Sequence, residues 1–326
     1  MNYTVTGEDL DSIATCWSNS APGLNWSSVF VLPAWLKAWW QAFSPGAESL
    51  IRTVRHGEKI IGIAPLMVVG RTALFIGDTD VCDYLDFIVE PGKEEIFYRA
   101  LLEDLKKNGI DRLDLKNVRP DSSVMTGLAP AVKNRGNEVV ISKEDVSVEM
   151  DLPGTWEKYL EGLDGKQRHE VKRKLRRLAG AGDPVYRIVA EKASISAAMD
   201  SFFRMFVESR SDKAHFLTEQ MARYFRSLAG AMADIGLLKI GVLELDKKAV
   251  AEIMYFDYNN SIYLYNSGYN PEYTSLSAGL MSKIFAIKHS IEKGKKRFDF
   301  LKGAETYKYH LGGREIPLYR CQIALQ

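Results

Sequence analysis

Cysteine and histidine are scarce in this chain. Among 326 residues there are three cysteines, Cys16, Cys82 and Cys321, and five histidines. The cysteines are odd in number, widely separated and without a C-x-x-C, and the histidines form no H-x-x-x-H. A disulfide framework and a structural zinc site are therefore excluded, and no metal is expected. Long apolar runs are missing too. The longest, 60–70, is too short to cross a bilayer, and the opening MNYTVTGEDLD is too acidic and polar for a secretory signal. These absences lead to the expectation of a cytoplasmic protein without a membrane span. Net charge is nearly absent, with 43 Lys+Arg against 42 Asp+Glu, which excludes attachment to DNA by bulk charge alone. The chain also lacks G-x-G-x-x-G after a strand, G-x-x-x-x-G-K-[ST], G-x-S-x-G and H-E-x-x-H. Dinucleotide redox chemistry, P-loop phosphoryl transfer, α/β-hydrolase chemistry and zinc proteolysis are thereby disfavoured.

What remains is ordinary globular material, 46% apolar and 26% charged, long enough for two domains. Its charge is unevenly spread. Residues 1–150 hold 15 Lys+Arg and 21 Asp+Glu, or −6, and residues 151–326 hold the remaining 28 and 21, or +7. The basic part is the better host for an anionic ligand.

Hydrophobic periodicity and turn residues predict the same element order twice, β-α-α-β-β-β-α-β-α-β. In the later part this reads as a strand at 185–190, a helix at 194–211 and a second helix from the N-cap Thr218 to about 234. Strands follow at 237–245, 249–257 and 261–267, then a loop at 268–277 and a helix at 278–293 ended by Gly294. A strand at 297–301, a short helix at 305–310 and a strand at 315–325 complete it. The earlier part reads alike, with helices at 7–16, 33–43, 93–107 and 122–135, and strands near Tyr3 and at 50–56, 59–69, 73–89, 112–117 and up to 150. Gly109-x-x-Arg112-Leu113-Asp114-Leu115 echoes Gly294-x-x-Arg297-Phe298-Asp299-Phe300 at a constant offset of 185. The prediction is a mixed α/β fold with a mixed sheet, built from duplicated domains over 1–150 and 184–326. Between them, 151–183 carries linker helices with one apolar face (Leu160, Leu163, Val171, Leu175, Leu178) and one basic face (Lys166, Arg168, Lys172, Arg173, Lys174, Arg176, Arg177).

One segment is chemically suggestive. Ser275-Leu276-Ser277-Ala278-Gly279 opens a helix with small residues and no carboxylate, so the unpaired amides there can receive an anion. The plainer alternative is that Ser277 is only an N-cap. The matching helix of the first domain opens Glu90-Pro91-Gly92-Lys93-Glu94-Glu95, whose acids would repel a diphosphate. The first domain is accordingly expected to lack a cofactor site.

Four stretches carry a resemblance: Leu32-Pro33-Ala34-Trp35-Leu36-x-x-Trp39-Trp40, Asp83-Tyr84-Leu85-Asp86-Phe87-Ile88, Tyr263-Leu264-Tyr265-Asn266-Ser267-Gly268-Tyr269-Asn270-Pro271, and Phe298-Asp299-Phe300-Leu301-Lys302-Gly303-x-Glu305-x-Tyr307-Lys308. With the element order, they make the chain similar to GNAT acyltransferases. The resemblance is nearest to the CelD/BcsL-like acetyltransferases of bacterial cell-envelope and exopolysaccharide loci, relatives of Fem-type aminoacyltransferases. It implies tandem GNAT-like domains (the acyl-CoA N-acyltransferase fold) and a donor, acetyl-CoA or another acyl-CoA, lying where the fourth and fifth strands, 261–267 and 297–301, splay apart. Asn266 and Ser267 would then line the donor, with Ser275, Leu276, Ser277, Ala278 and Gly279 on its diphosphate. The usual Q/R-x-x-G-x-G/A is absent from that loop.

The resemblance further implies that Tyr307 is the acid for the departing thiolate, a phenol with a reference pKa near 10 being able to donate at neutral pH. Tyr309 is its neighbouring rival. Glu252 and Glu305 are the alternatives for the base, and Arg210, Lys213, Asp299 and Lys308 are expected to border the substrate. Asp299, set in an apolar strand and with Asp114 as its counterpart in the first domain, is alternatively a paired structural residue. Cys82 beside the acidic turn Asp78, Asp80, Asp83, Asp86 has no neighbouring histidine to activate it, so direct transfer is expected rather than an acyl-enzyme. That acidic turn is either polar surface or a contact for a cationic or sugar group. The expected function is an acyl-CoA-dependent N-acyltransferase acting on a small-molecule or lipid-linked amine, such as an amino sugar or envelope precursor. Two alternatives stand beside it: a Fem-like transfer from aminoacyl-tRNA, favoured by the basic linker face, and a non-catalytic GNAT-fold binding protein.

Overall fold

The computed structural model describes residues 3–19, 23–43, 46–78, 80–209 and 211–325, apart from the side chains of 211–213. The chain divides into two compact units, unit 1 comprising Met1–Val146 and Ile316–Gln326, and unit 2 comprising Ser147–Glu315. In chain order the elements are β1 (Tyr3–Glu8), α1 (Leu10–Ser18), α2 (Pro33–Phe43), β2 (Glu48–His56), β3 (Lys59–Val69), β4 (Thr72–Phe75), β5 (Ile88–Val89), α3 (Glu94–Lys107), β6 (Arg112–Val118), α4 (Ala129–Lys133) and β7 (Val139–Asp151). There follow α5 (Trp156–Gly162), α6 (Gly165–Ala179), β8 (Pro184–Val189), α7 (Lys192–Ser209), α8 (Ser211–Phe216), α9 (Glu219–Asp234), β9 (Leu238–Leu245), β10 (Lys248–Tyr258) and β11 (Ser261–Tyr269). Last come α10 (Ala278–Glu292), β12 (Arg297–Lys302), α11 (Thr306–His310) and β13 (Arg314–Ala324).

Each unit repeats one sheet plan. Unit 1 has the order β1-β2-β3-β4-β6-β13, and unit 2 has β8-β9-β10-β11-β12-β7. In both, four antiparallel strands are followed by a parallel fifth (β6 or β12) and an antiparallel sixth. The sequence echo falls on equivalent positions. Gly109 and Gly294, with φ of +76° and +70°, end the helices before the two fifth strands in the left-handed conformation that glycine tolerates.

The division differs from the expected boundaries at 150, 183 and 326. The last residues of β7 pair with β12 and belong to unit 2, whereas β13 pairs with β6 and most of it belongs to unit 1. Each unit therefore takes its sixth strand from the other half of the sequence. The linker helices also belong to unit 2. They break in two at Asp164, whose carboxylate accepts from Gln167 N at 2.8 Å and starts α6 afresh. Tyr159, Leu160, Leu163, Val171 and Leu178 are buried with Met281, Ile284 and Ile287 of α10. The strand expected at 73–89 is two short pieces, β4 and β5, and the helix expected at 122–135 is a π-turn at Val124–Leu128 leading into α4.

Unit 2 has a core on each face of its sheet. On one face α10 packs over Ala251, Ile253, Tyr255, Ile262 and Leu264. On the other, Phe202 and Phe206 of α7 meet at 5.7 Å with their rings tilted, and Phe225 of α9 meets Tyr265 at 5.7 Å. The backbone of α7 comes so near β11 that a Cβ on Gly268 would lie 2.5 Å from the Met205 carbonyl carbon. Because that obstacle is backbone, Gly268→Ala is expected to cost about 3 kcal/mol, readable as a lowered urea midpoint, while Gly294→Asn costs far less.

Candidate functional site

β11 and β12 are the two strands that matter most. They pair in parallel only over Ser261–Tyr263 with Arg297–Asp299, although β11 continues to Tyr269 and β12 to Lys302. Local chemistry drives them apart. On β12, the Asp299 carboxylate accepts from Leu301 N at 2.8 Å, and Leu301 takes a φ of +64°, a conformation an L-residue adopts only under such constraint. The register with β7 shifts at the same place, between Asp299 and Lys302. On β11, Tyr265 is an extra residue opposite the Met254–Tyr255 step of β10, since Met254 faces Asn266 and Tyr255 faces Leu264. Such a bulge bends its strand and re-aims the side chains beyond it. The result is a gap whose β11 wall, 264–269, presents alternate backbone N–H and C=O groups on the side away from β10.

The α10 N-terminus lies at the end of that wall. A 3₁₀ turn, Pro271–Leu276, leads into it, and Ser277 then takes a left-handed φ of +56°. Helix geometry leaves the Ala278 and Gly279 amides without intrahelical acceptors. Ser277 stands at the N-cap position, but its hydroxyl makes no capping bond. It accepts instead from Lys174 Nζ of α6 at 2.7 Å. The basic helix thus brings an ammonium to the opening of α10. Gly279 has a steric reason of its own, as a Cβ there would lie 2.8 Å from the Tyr269 ring. Ser275 is exposed, and Leu276 and Ser277 are half-buried.

A second lysine, not foreseen from the sequence, occupies the inner side of the site. Lys283 is buried on α10, and its ammonium donates to Ser267 Oγ at 3.0 Å and Gly279 O at 2.9 Å. It also sits 5.1 Å from the centre of the Tyr307 ring. Ser267 of β11, the first turn of α10 and Tyr307 of α11 therefore meet at one cation. The available sequence signal was a lysine inside the apolar run Met281-Ser282-Lys283-Ile284-Phe285.

Tyr307 packs edge-on against Phe300 of β12 at 6.3 Å. Tyr309 lies elsewhere: its hydroxyl donates to Glu315 at 2.7 Å, and that carboxylate pushes the exposed phenol up to about 12. Lys308, expected beside the substrate, is 2% exposed, and its ammonium contacts Leu301 O, Lys302 O, Gly303 O and Glu305 Oε2 at 2.7–3.0 Å. An ammonium has three protons, so these four oxygens leave it none for a ligand in this arrangement. Glu305 is half-exposed and held by that pair. Asp299 is 1% exposed and shapes β12 rather than facing a cleft. Its register neighbour on β7 is Glu149, 2% exposed and near Arg297 and Arg314 at 3.6 and 3.9 Å.

Glu252 is on β10, facing α7 together with Met254 and Phe256. One carboxylate oxygen accepts from Ser201 Oγ at 2.7 Å, and the other is buried without a hydrogen-bond partner. Burial raises its carboxyl above the ordinary range, and the Ser201 hydrogen bond and the more distant Arg187 and Arg204 offset this only in part. The structure brings Asn266, Ser267, Ser277, Gly279 and Tyr307 around the gap and puts Glu252 one strand away. Arg210 lies outside the described residues, as does the side chain of Lys213.

The equivalent gap in unit 1 is closed. β4 and β6 pair only at Thr72–Arg112 and Ala73–Leu113, but the buried segment 81–87 lies along β6. Leu85 N donates to Asn117 O at 3.1 Å, and Asn117 Nδ2 donates to Cys82 O at 2.5 Å. The remaining cavity, about 180 Å³, is bordered by Leu74, Gly77 and Asp114 and is too small for a nucleotide. Cys82 is fully buried and burial drives its thiol far up, so it stays protonated and unreactive. The acidic turn serves the backbone: Asp78 accepts from Trp39 Nε1 and from the amides of Asp80 and Val81, and Asp86 accepts from Ser123 and Val124. Among the described residues, no three His, Cys, Asp or Glu side chains converge as a metal site requires, and no helix is long and apolar enough to cross a membrane.

Comparison with known proteins agrees with this geometry. Residues 165–309 match the family described as acetyltransferase (GNAT) domain, so unit 2 carries the GNAT match from α6 to α11. No curated protein matches the chain. Among solved structures, FemX is similar over 97% of this chain and 96% of its own, at 11% identity and a TM-score of 0.61. A conserved protein of unknown function from Bacteroides thetaiotaomicron is similar over 99% and 100%, at 13% identity and a TM-score of 0.61. The C-terminal domain of a putative lysylphosphatidylglycerol synthetase from Agrobacterium fabrum is similar over 81% and 80%, at 13% identity and a TM-score of 0.54. At these identities the likeness is one of fold.

Proposed function

We propose that the chain is an acyl-CoA-dependent N-acyltransferase, with its donor site in unit 2 and an amine as acceptor. The observation that carries this reading is the parting of β11 from β12 beside the α10 N-terminus, with Lys174 at that opening. An extended pantetheine amide chain can hydrogen-bond to the open edge of 264–269, while a diphosphate meets the Ala278 and Gly279 amides and the Lys174 ammonium. Unit 1, its gap filled by its own chain, is assigned no donor. The acceptor class rests on the sequence resemblance: a small or lipid-linked amine, such as an amino sugar or an envelope or exopolysaccharide precursor.

In this reading the acceptor nitrogen attacks the thioester carbonyl, forming the C–N bond, and collapse of the tetrahedral intermediate breaks C–S. Tyr307 gives its phenolic proton to the thiolate. Glu252 is the better base of the two candidates, because its carboxyl is raised by burial and one oxygen is uncommitted, whereas Glu305 is tied to Lys308. The transfer is direct, as Cys82 is sealed in unit 1.

Calorimetry with CoA and thiol release from acetyl-CoA with a panel of amino sugars test the proposal. Lys174→Met is expected to weaken CoA about tenfold, the order of one charge-assisted hydrogen bond. Absence of CoA binding, together with no thiol release from any amine, would overturn it. A second reading, Fem-like transfer from aminoacyl-tRNA, is favoured by one observation: Lys172, Arg173, Arg176 and Arg177 are exposed on the helix that brings Lys174 to the site. It predicts a salt-sensitive tRNA shift that is lost when Arg173, Lys174, Arg176 and Arg177 are replaced together.

A further inference from the structure

The other end of α10 borders a cavity of about 430 Å³ that the acyl-transfer reading does not use. Its polar lining includes Lys239 of β9, Asp257 of β10, His289 of α10, and Lys293 and Lys295 of the turn after it. Ile188, Ala190 and Ile262 give it an apolar wall. Lysines at a helix C-terminus are ordinarily explained by the helix dipole, but Lys239 comes from a different element and points into the same space. Of the three ammoniums, Lys295 is paired with Asp257 at 2.5 Å, and Lys239 donates to the Gly236 carbonyl at 3.0 Å. The local balance is thus three ammoniums against one lining carboxylate.

A buried phenol and an imidazole add hydrogen-bonding capacity. Tyr255 lines the cavity, and burial holds its phenol protonated, hence a donor. Burial first, and the Lys293 ammonium second, hold the His289 imidazole below the usual histidine range, so it is neutral at physiological pH.

We infer that this cavity is a second ligand site, for a small organic phosphate with an apolar or aromatic body. The phosphate would lie among Lys239, Lys293 and Lys295, with its body on Ile188, Ala190 and Ile262. α10 has 15 residues, which separates the cavity from the donor site by about 22 Å at 1.5 Å per residue. The two sites are therefore spatially distinct, and this inference does not depend on the acyl donor.

Phenyl phosphate and inorganic phosphate serve as probes, followed by calorimetry and ³¹P NMR on the full chain. Phenyl phosphate is expected to bind saturably with a Kd below about 1 mM, and inorganic phosphate, lacking the apolar body, to compete more weakly. Lys239→Met with Lys293→Met is expected to weaken phenyl phosphate at least tenfold, while Lys174→Met leaves it unchanged. Lys293→Met alone, a change at an exposed position, controls for misfolding and is expected to give part of the loss. The inference is overturned by three outcomes: no saturable binding at about 10 mM probe, binding indifferent to the double substitution, or binding lost with Lys174→Met, which would locate the phosphate at the donor site.

Discussion

Lys308→Met is expected to lower the stability of unit 2 by about 3–5 kcal/mol. Methionine keeps most of the lysine stem's volume, so little packing is lost, and the effect isolates the ammonium. That ammonium is the common donor to the carbonyls of Leu301, Lys302 and Gly303, which leave β12 through the positive φ values of Leu301 and Gly303, +64° and +102°. Without it, three carbonyls crowd together with at least the Leu301 oxygen buried, each at a cost of about 1–3 kcal/mol before relaxation. Glu305→Gln separates the two halves of the interaction. Its carboxylate is 49% exposed, so water replaces the lost charge, and the expected cost is below about 1 kcal/mol. Urea denaturation of both variants checks this. Equal midpoints for Lys308→Met and Glu305→Gln would mean that the ammonium serves the carboxylate rather than the turn.

The same segment shows what was readable from residue order alone. Glu305 and Lys308 stand three apart on the predicted helix, yet from sequence they take separate roles, base and substrate contact. Neither their ion pair nor the three carbonyls could be foreseen, because both depend on how β12 unwinds. The α10 opening was legible, since Ser275–Gly279 carries no acid and is bounded by strong punctuation. The parting of β11 from β12 was legible only through the family resemblance, and its local causes, the extra residue Tyr265 and the Asp299–Leu301 contact, were not. In the sequence Lys174 is only one of several cations on the basic face of the linker helix. Its meeting with Ser277 joins residues 103 apart, and periodicity within a helix says nothing about partners at that separation. The exchange of sixth strands escaped for a similar reason: β7 and β13 have comparable length and patterning, so pattern alone does not assign either to a sheet. Of the two readings of the acidic turn, the structure supports the polar turn, since the Asp78 and Asp86 oxygens receive backbone amides.

Tyr307→Phe is expected to reduce kcat by about 10²–10⁴, the range for loss of a general acid, with CoA affinity unchanged within about twofold. The split between the two quantities follows from geometry. The Tyr307 ring rests on Phe300 at 6.3 Å and on the Lys283 ammonium at 5.1 Å, and phenylalanine preserves both contacts. The diphosphate contacts assigned to Lys174, Ala278 and Gly279 are made by other elements and should survive. Only the hydroxyl is removed, so the loss should fall on the step in which sulfur departs. Tyr309→Phe is the matched control, because that hydroxyl donates to Glu315 at 2.7 Å on an exposed surface, and its kcat should stay within about twofold. A donor whose thiol is more acidic needs less help in leaving, so an acyl-CoA analogue with a better leaving group should narrow the gap between Tyr307→Phe and the unaltered enzyme. If kcat stays within threefold for Tyr307→Phe, or if CoA binding falls in parallel with it, Tyr307 is a packing residue of the α11 turn and the thiolate takes its proton from water.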